Sequence, residues 1–167
     1  MEMFPFFLNY LLSFYIRTWI SPLGELMKYT IVYWSRYGHN KKIVNYLAEK
    51  LKKKKAETNI LSTDDADPTA LPEADLYIFS AAAEAFNLQK NMRTFMKNLE
   101  GMDGKKYGII NTHGMDKDRL YKMEKLLSKK NMVKVASVDF KVGKDIKSGN
   151  ALMEDWESQL DKFAEKL

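Results

Sequence analysis

From Lys28 to the C-terminus, short β-branched and aromatic runs alternate with longer segments whose apolar residues recur at helical spacing. No other feature limits the fold as much. KYTIVYW (28–34), TNIL (58–61), DLYIFSA (75–81), KYGIINT (106–112) and VKVASVDFKV (133–142) read as five strands. Between them, Ile43, Val44, Leu47 and Leu51 predict a helix over 40–54, with Asn40 as its N-cap. Met92, Phe95, Met96 and Leu99 predict a second helix, closed by Gly101. Leu120, Met123 and Leu127 place a third across 117–130, and Leu152, Trp156, Leu160, Phe163 and Leu167 mark the last. The methionines fall on these stripes and read as core.

Strands that alternate with helices build a parallel sheet covered on both faces. Such a sheet binds ligands beyond the carboxyl ends of its strands, where the strand order reverses. The segments to inspect are therefore 35–40, 81–88, 112–116 and 143–149, and both histidines, His39 and His113, fall in them.

Several chemistries are excluded by what those segments contain. There is no cysteine, which removes disulfides, thiolate nucleophiles and cysteine-bound metals. Two histidines are too few for most histidine metal sites, so no metal is expected. Neither G-x-x-x-x-G-K-[ST], G-x-G-x-x-G nor G-x-S-x-G occurs, and Trp34-Ser35 stands where a phospho-receiver domain has acidic residues. Asp64 and Asp65 read as solvated turn residues, and no catalytic acid–base pair stands out. The balance is basic, 27 Lys and Arg against 22 Asp and Glu, which suggests an acidic partner. No zinc-finger spacing, RNP-like motif or arginine-rich arm points to nucleic acid.

Residues 1–26 stand apart as an apolar N-terminal extension. FPFFLNYLLSFYIRTWI is interrupted by Asn9 and meets Arg17 too early to span a bilayer. It reads as a membrane-surface anchor or as a translated leader preceding a true start at Met27, with a domain over 27–167. Membrane contact is expected only if this segment is native. Without its Arg17, Glu2 and Glu25, the remainder carries a net charge of +6.

What is left after the first strand is a hydroxyl- and amide-rich turn, SRYGHN, that feeds straight into a helix. Consecutive N–H groups and a helix N-terminus suit a phosphate monoester. MKYTIVYWSRYGHNKKIVNYLAEKL resembles the start of flavodoxin-like proteins, whose first loop reads [ST]-x-[ST]-G-x-[ST]. Ser35, Gly38 and the helix onset match that loop, while Tyr37 and Asn40 replace its threonines. ADLYIFSAAAEAF and GKKYGIINTHG resemble the third and fourth strands with their flavin-ring loops, and DWESQLDKFAEKL the closing helix.

The resemblance implies a flavodoxin-like three-layer α/β sandwich with a five-stranded parallel sheet of order 2-1-3-4-5. It implies FMN, with the phosphate at Ser35, Arg36, Tyr37, Gly38, His39 and Asn40. The ring would lie against Ala81, Ala82, Ala83, Phe86, Thr112, His113 and Gly114. Three alanines stand where relatives often have Gly, Pro or an aromatic, so stacking is expected from Phe86, Tyr37 or His113. His113 is the expected donor at the ring edge; His39 reads as an exposed helix-start residue, and Phe86 equally as a core or hinge residue. The implied function is cytoplasmic electron transfer for a partner protein with an acidic docking surface, with a less negative potential than in the acidic members. The alternatives are an FMN-dependent quinone reductase or protoporphyrinogen oxidase-like enzyme, and a flavin-free interaction module.

Overall fold

The computed structural model describes residues 24–115, 117–148 and 151–167. The apolar extension therefore lies, up to position 23, outside the described residues. The chain enters the sheet at β1 (Lys28–Tyr33), then forms α1 (His39–Lys53), β2 (Glu57–Ser62) and β3 (Leu76–Glu84). A two-residue strand, β4 (Asn87–Leu88), precedes α2 (Lys90–Lys97) and β5 (Lys106–His113). The chain continues with α3 (Leu120–Ser128), β6 (Val133–Lys141) and α4 (Trp156–Ala164).

Five strands run parallel in the order β2-β1-β3-β5-β6, and β4 pairs antiparallel with the end of β3. Counting the five parallel strands alone, this is the expected 2-1-3-4-5. The chain steps from β1 outward to β2, then crosses back to β3 on the other side. The loops after β1 and β3 thus diverge above the sheet, which opens a crevice there.

Side-chain alternation along the strands fills both faces. Tyr29, Ile31, Leu76, Ile78 and Ile110 pack with Ile43, Leu47 and Leu51 of α1 and Leu160 and Phe163 of α4. Val32, Tyr77, Phe79 and Ile109 pack on the opposite side with Met92 and Met96 of α2 and Met123 and Leu127 of α3. The methionines on the helical stripes, Met92, Met96 and Met123, are core, as their spacing predicts, whereas Met115 and Met153 are exposed. Lys50, Lys52 and Lys53 occupy the last turn of α1, where cations complement the helix dipole. Gly108 makes room for α4: a Cβ there would meet Phe163 Cζ at 3.0 Å and Leu167 Cδ2 at 3.2 Å.

Several boundaries depart from the sequence reading, among them the following. The third helix begins at Leu120, not 117, because the Arg119 N–H donates to Asn111 Oδ1 (2.9 Å) and the Leu120 N–H to Asp118 Oδ1 (2.8 Å). The last helix begins at Trp156; Leu152 instead bridges Val142. Beyond Ala81, where the third strand was expected to end, Ala82 and Ala83 are not a loop. They continue β3, with Ala81 and Ala82 still in register with Asn111 and Thr112 of β5.

Candidate functional site

The first wall of the crevice is built where β1 hands over to α1. The Trp34 N–H donates to the Ser80 carbonyl (3.0 Å), so the chain leaves β1 still attached to β3. It turns through Ser35–Tyr37 to Gly38, whose φ of 93° lies in the left-handed region that favours glycine. No side chain caps α1 and its first turn carries no acidic residue. The Lys42 N–H is taken up by Gly38 O (2.9 Å), which leaves the preceding N–H groups of the helix start without an intrahelical acceptor. Such an uncapped end forgoes about 1 kcal/mol.

Two further polar atoms belong to residues of the same wall. Ser35 Oγ and His39 Nε2 are buried without hydrogen-bond partners. His39 is only 5% exposed, so the expectation of a solvated helix-start residue fails. Burial, and after it the charge of Lys42, holds its imidazole below the ordinary range. Asn40 is not the N-cap. It sits inside the helix, where its Oδ1 accepts from Ser80 Oγ (2.9 Å) and its Nδ2 donates to Thr112 Oγ1 (3.0 Å). One buried amide thereby ties α1 to the ends of β3 and β5.

The second wall is the β3–β4 hairpin. Glu84 pairs with Asn87 across Ala85 and Phe86, whose φ values are 45° and 65°. Two positive φ angles in a two-residue hairpin describe a type I′ turn, which ordinarily takes Asn-Gly. Phe86 is 71% exposed, so it is not a core residue. Lys122 of α3 pins the hairpin through Asn87 Oδ1 (2.8 Å) and Phe86 O (3.3 Å). Across the crevice, Arg36 reaches Glu84 (3.3 Å) while its guanidinium lies 5.6 Å from the Trp34 ring.

The third wall is the end of β5. His113 is buried, with Nδ1 against the Met115 carbonyl and Nε2 against Asp139 Oδ2 (2.9 Å). Both ring nitrogens are engaged within the protein, so neither is left over to donate into the crevice.

Together these walls enclose a cavity of about 450 Å³. Of the predicted residues, Ser35, Arg36, Tyr37, His39 and Asn40 line it from the first segment. Ala82 and Ala83 line it from the second, and Thr112, His113 and Gly114 from the third. Gly38 contributes through its backbone conformation, Ala81 is fully buried, and Phe86 lies outside the lining. Trp34, Glu84, Ala85, Val142 and Ile146 line it too and were not anticipated singly. Val142 and Ile146 border or fall in the flagged segment 143–149, but an apolar loop residue carries no chemical signal of its own. Among the described residues, no group of His, Asp and Glu is placed to hold a metal, and no helix is long and apolar enough to cross a membrane.

The donor set fits a phosphate monoester. Two orphaned buried polar atoms, each costing about 1–3 kcal/mol while unpaired, belong to residues that line the cavity beside free N–H groups and a positive helix end. The small side chains of Ala82 and Ala83 leave space for a flat ring beside them.

The sequence matches a family model described as a flavodoxin domain over residues 30–145. No curated protein matches it. Among solved structures, the chain is similar to a flavodoxin from Archaea, at 18% identity over 84% of this chain and 98% of that one, with a TM-score of 0.64. Oxidised flavodoxin 2 from Bacillus cereus gives 17% identity over 83% and 96%, with a TM-score of 0.70. Rubredoxin oxygen:oxidoreductase from Desulfovibrio gigas gives 14% identity and a TM-score of 0.70, over 91% of this chain but 36% of that one. At these identities the structural likeness extends to the fold alone.

Proposed function

The chain belongs to the flavodoxin domain family, and on that premise we propose that it binds FMN and carries electrons for a partner protein. The observation that carries the reading is the buried, unpartnered Ser35 Oγ beside the uncapped start of α1, at the point where strand order reverses. Ser35 and the N–H groups following Gly38 would hold the phosphate; Ala82, Ala83, Thr112 and Gly114 would flank the ring. FMN supplies the redox chemistry when bound. The protein's part is to orient it, exclude water from one side and set the charge around it.

That charge is positive overall, +5 for the chain. Near the crevice, exposed Phe86 and Tyr121 flank Lys122, an apolar and cationic rim suited to an acidic redox partner. The same excess favours an anionic reduced cofactor, so the lower one-electron potential should be less negative than in acidic family members; potentiometric titration reads it. The test of the reading itself is an absorbance spectrum after gel filtration of protein mixed with FMN. Flavin bands that travel with wild type and weaken in Ser35→Ala support it. A colourless wild-type fraction overturns it, and favours the flavin-free module, whose support is the continuation of β3 through Ala82 and Ala83 where a ring loop was expected.

A further inference from the structure

In the family pattern for the first loop, position 40 carries a hydroxyl; here it carries an amide that is already spent. Asn40 is 2% exposed, with its Oδ1 accepting from Ser80 and its Nδ2 donating to Thr112. Nothing on that side chain is free for a ligand without breaking a buried network. The neighbouring position is the reverse. His39 is the first residue of α1, 5% exposed, lines the cavity, and keeps Nε2 buried without a partner.

The other charged or titratable groups of the cavity are committed elsewhere or lie apart. Arg36 of the first loop holds Glu84 of the hairpin (3.3 Å), and Lys42 of α1 lies 5.6 Å from the Trp156 ring of α4. His113 of β5 is engaged by Met115 and by Asp139 of β6. Asp161, the acidic residue of α4 facing α1, is taken by Tyr46 (3.1 Å) and Lys50 (3.1 Å), farther along the helix. Tyr37 completes the set on the loop. Among the described residues, no carboxylate is bonded to His39 Nε2.

Resting on the FMN reading above, we propose that His39 is the side chain that recognises the phosphate charge, and that it takes up a proton when the phosphate binds. Neutral imidazole is favoured before binding by burial and, after it, by the charge of Lys42. A phosphate dianion beside Nε2 reverses the balance, because a nearby opposite charge stabilises imidazolium and the buried nitrogen gains an acceptor. The proton comes from solvent, so no other group in the site need change its charge. By linkage, affinity for FMN falls as pH rises through the titration of the bound imidazolium.

The test uses the full chain and two flavins. Calorimetric titration with FMN at pH 7.5, in two buffers of different ionisation enthalpy, counts protons taken up per FMN bound. The same titration with riboflavin, which lacks the phosphate, is the control. Between pH 6.5 and pH 8.5, where the phosphate is largely dianionic, the dissociation constant for FMN should rise about tenfold. Expected are net proton uptake with FMN and none with riboflavin, and a pH dependence reduced to under about twofold in His39→Gln. FMN binding without proton uptake in wild type overturns the role of His39 and leaves the FMN reading intact, whatever the variant does. An equal pH profile in wild type and a folded His39→Gln does the same. Failure of wild type to bind FMN at any pH removes the FMN reading and this inference with it.

Discussion

Replacing Ala85-Phe86 with Asn-Gly should stabilise the protein, although it deletes an aromatic side chain. Both residues hold positive φ, 45° and 65°, in a turn that ordinarily takes Asn-Gly. A non-glycine residue in the left-handed region costs roughly 1–2 kcal/mol, so the pair stores about 2–4 kcal/mol. Against this, glycine raises the entropy of the unfolded chain by about 0.4–1 kcal/mol, and asparagine still retains part of the strain. The side chain lost contributes little in return, because Phe86 is 71% exposed. The hairpin keeps its anchor: Lys122 bonds the carbonyl at 86 and the side chain of Asn87, neither of which changes. The net gain is about 1–2 kcal/mol, or a rise in Tm of roughly 2–8 °C for a chain of this size. Thermal unfolding followed by circular dichroism, with urea midpoints as a cross-check, reads it. An unchanged or lower Tm in both Phe86→Gly and the double variant would refute the strain argument, since no packing loss is available to mask the relief.

Gly108→Ala should cost about 1–3 kcal/mol in urea unfolding, because its Cβ would stand 3.0 Å from Phe163 Cζ. Trimming the ring with Phe163→Leu in the same background should recover part of that loss by non-additivity. Asn40→Ala should cost about 2–4 kcal/mol, since it strands the buried Ser80 and Thr112 hydroxyls together; a Ser80→Ala/Asn40→Ala pair should cost less than the sum. For the protein without ligand, His39 makes stability depend on pH in a stated direction. Its folded pKa lies below the ordinary 6.5, so the unfolded chain binds more protons there. Its contribution is complete above pH 6.5 and is lost as pH falls through the lower, folded value; His39→Gln should flatten that part of a Tm-against-pH curve.

The parallel sheet was legible because its determinants are local and repeated. Apolar runs such as Ile31-Val32 and Ile109-Ile110, separated by helical stripes, leave few topologies once crossover handedness is imposed. The departures occur where a distant partner decides. Nothing between 117 and 120 announces that Asn111, on another strand, will accept the Arg119 N–H and delay α3. Nothing in a run of three alanines announces that β3 runs on past Ala81 to Glu84 and keeps Ala82 paired with Thr112. The candidate site divides on the same line. Ser35 and Gly38 were identifiable from a loop pattern, whereas the roles of His39 and Asn40 turn on which of two adjacent side chains faces β3 and β5. Sequence order alone does not settle that, and the helix onset one residue earlier than expected does: it places Asn40 within α1, against Ser80 and Thr112.

The extension of β3 also accounts for the strained hairpin. A third strand that stopped at Ala81 would leave the chain free to fold over the cavity as a loop. Instead the strand runs on to Glu84, past the edge of β1, whose last partner in β3 is Ser80. The chain must then reverse within two residues, for Asn87 already pairs with Glu84 and Leu88 is already buried against the core. A reversal that tight, with the right-handed twist of the strands, requires a primed turn whatever residues occupy it. Ala85 and Phe86 occupy it at a cost, and leave an aromatic ring exposed on a pinned turn beside the cavity. Asn-Gly would satisfy the backbone and present no such ring. The strain therefore sits at the crevice rim, the kind of place where backbone strain clusters in proteins.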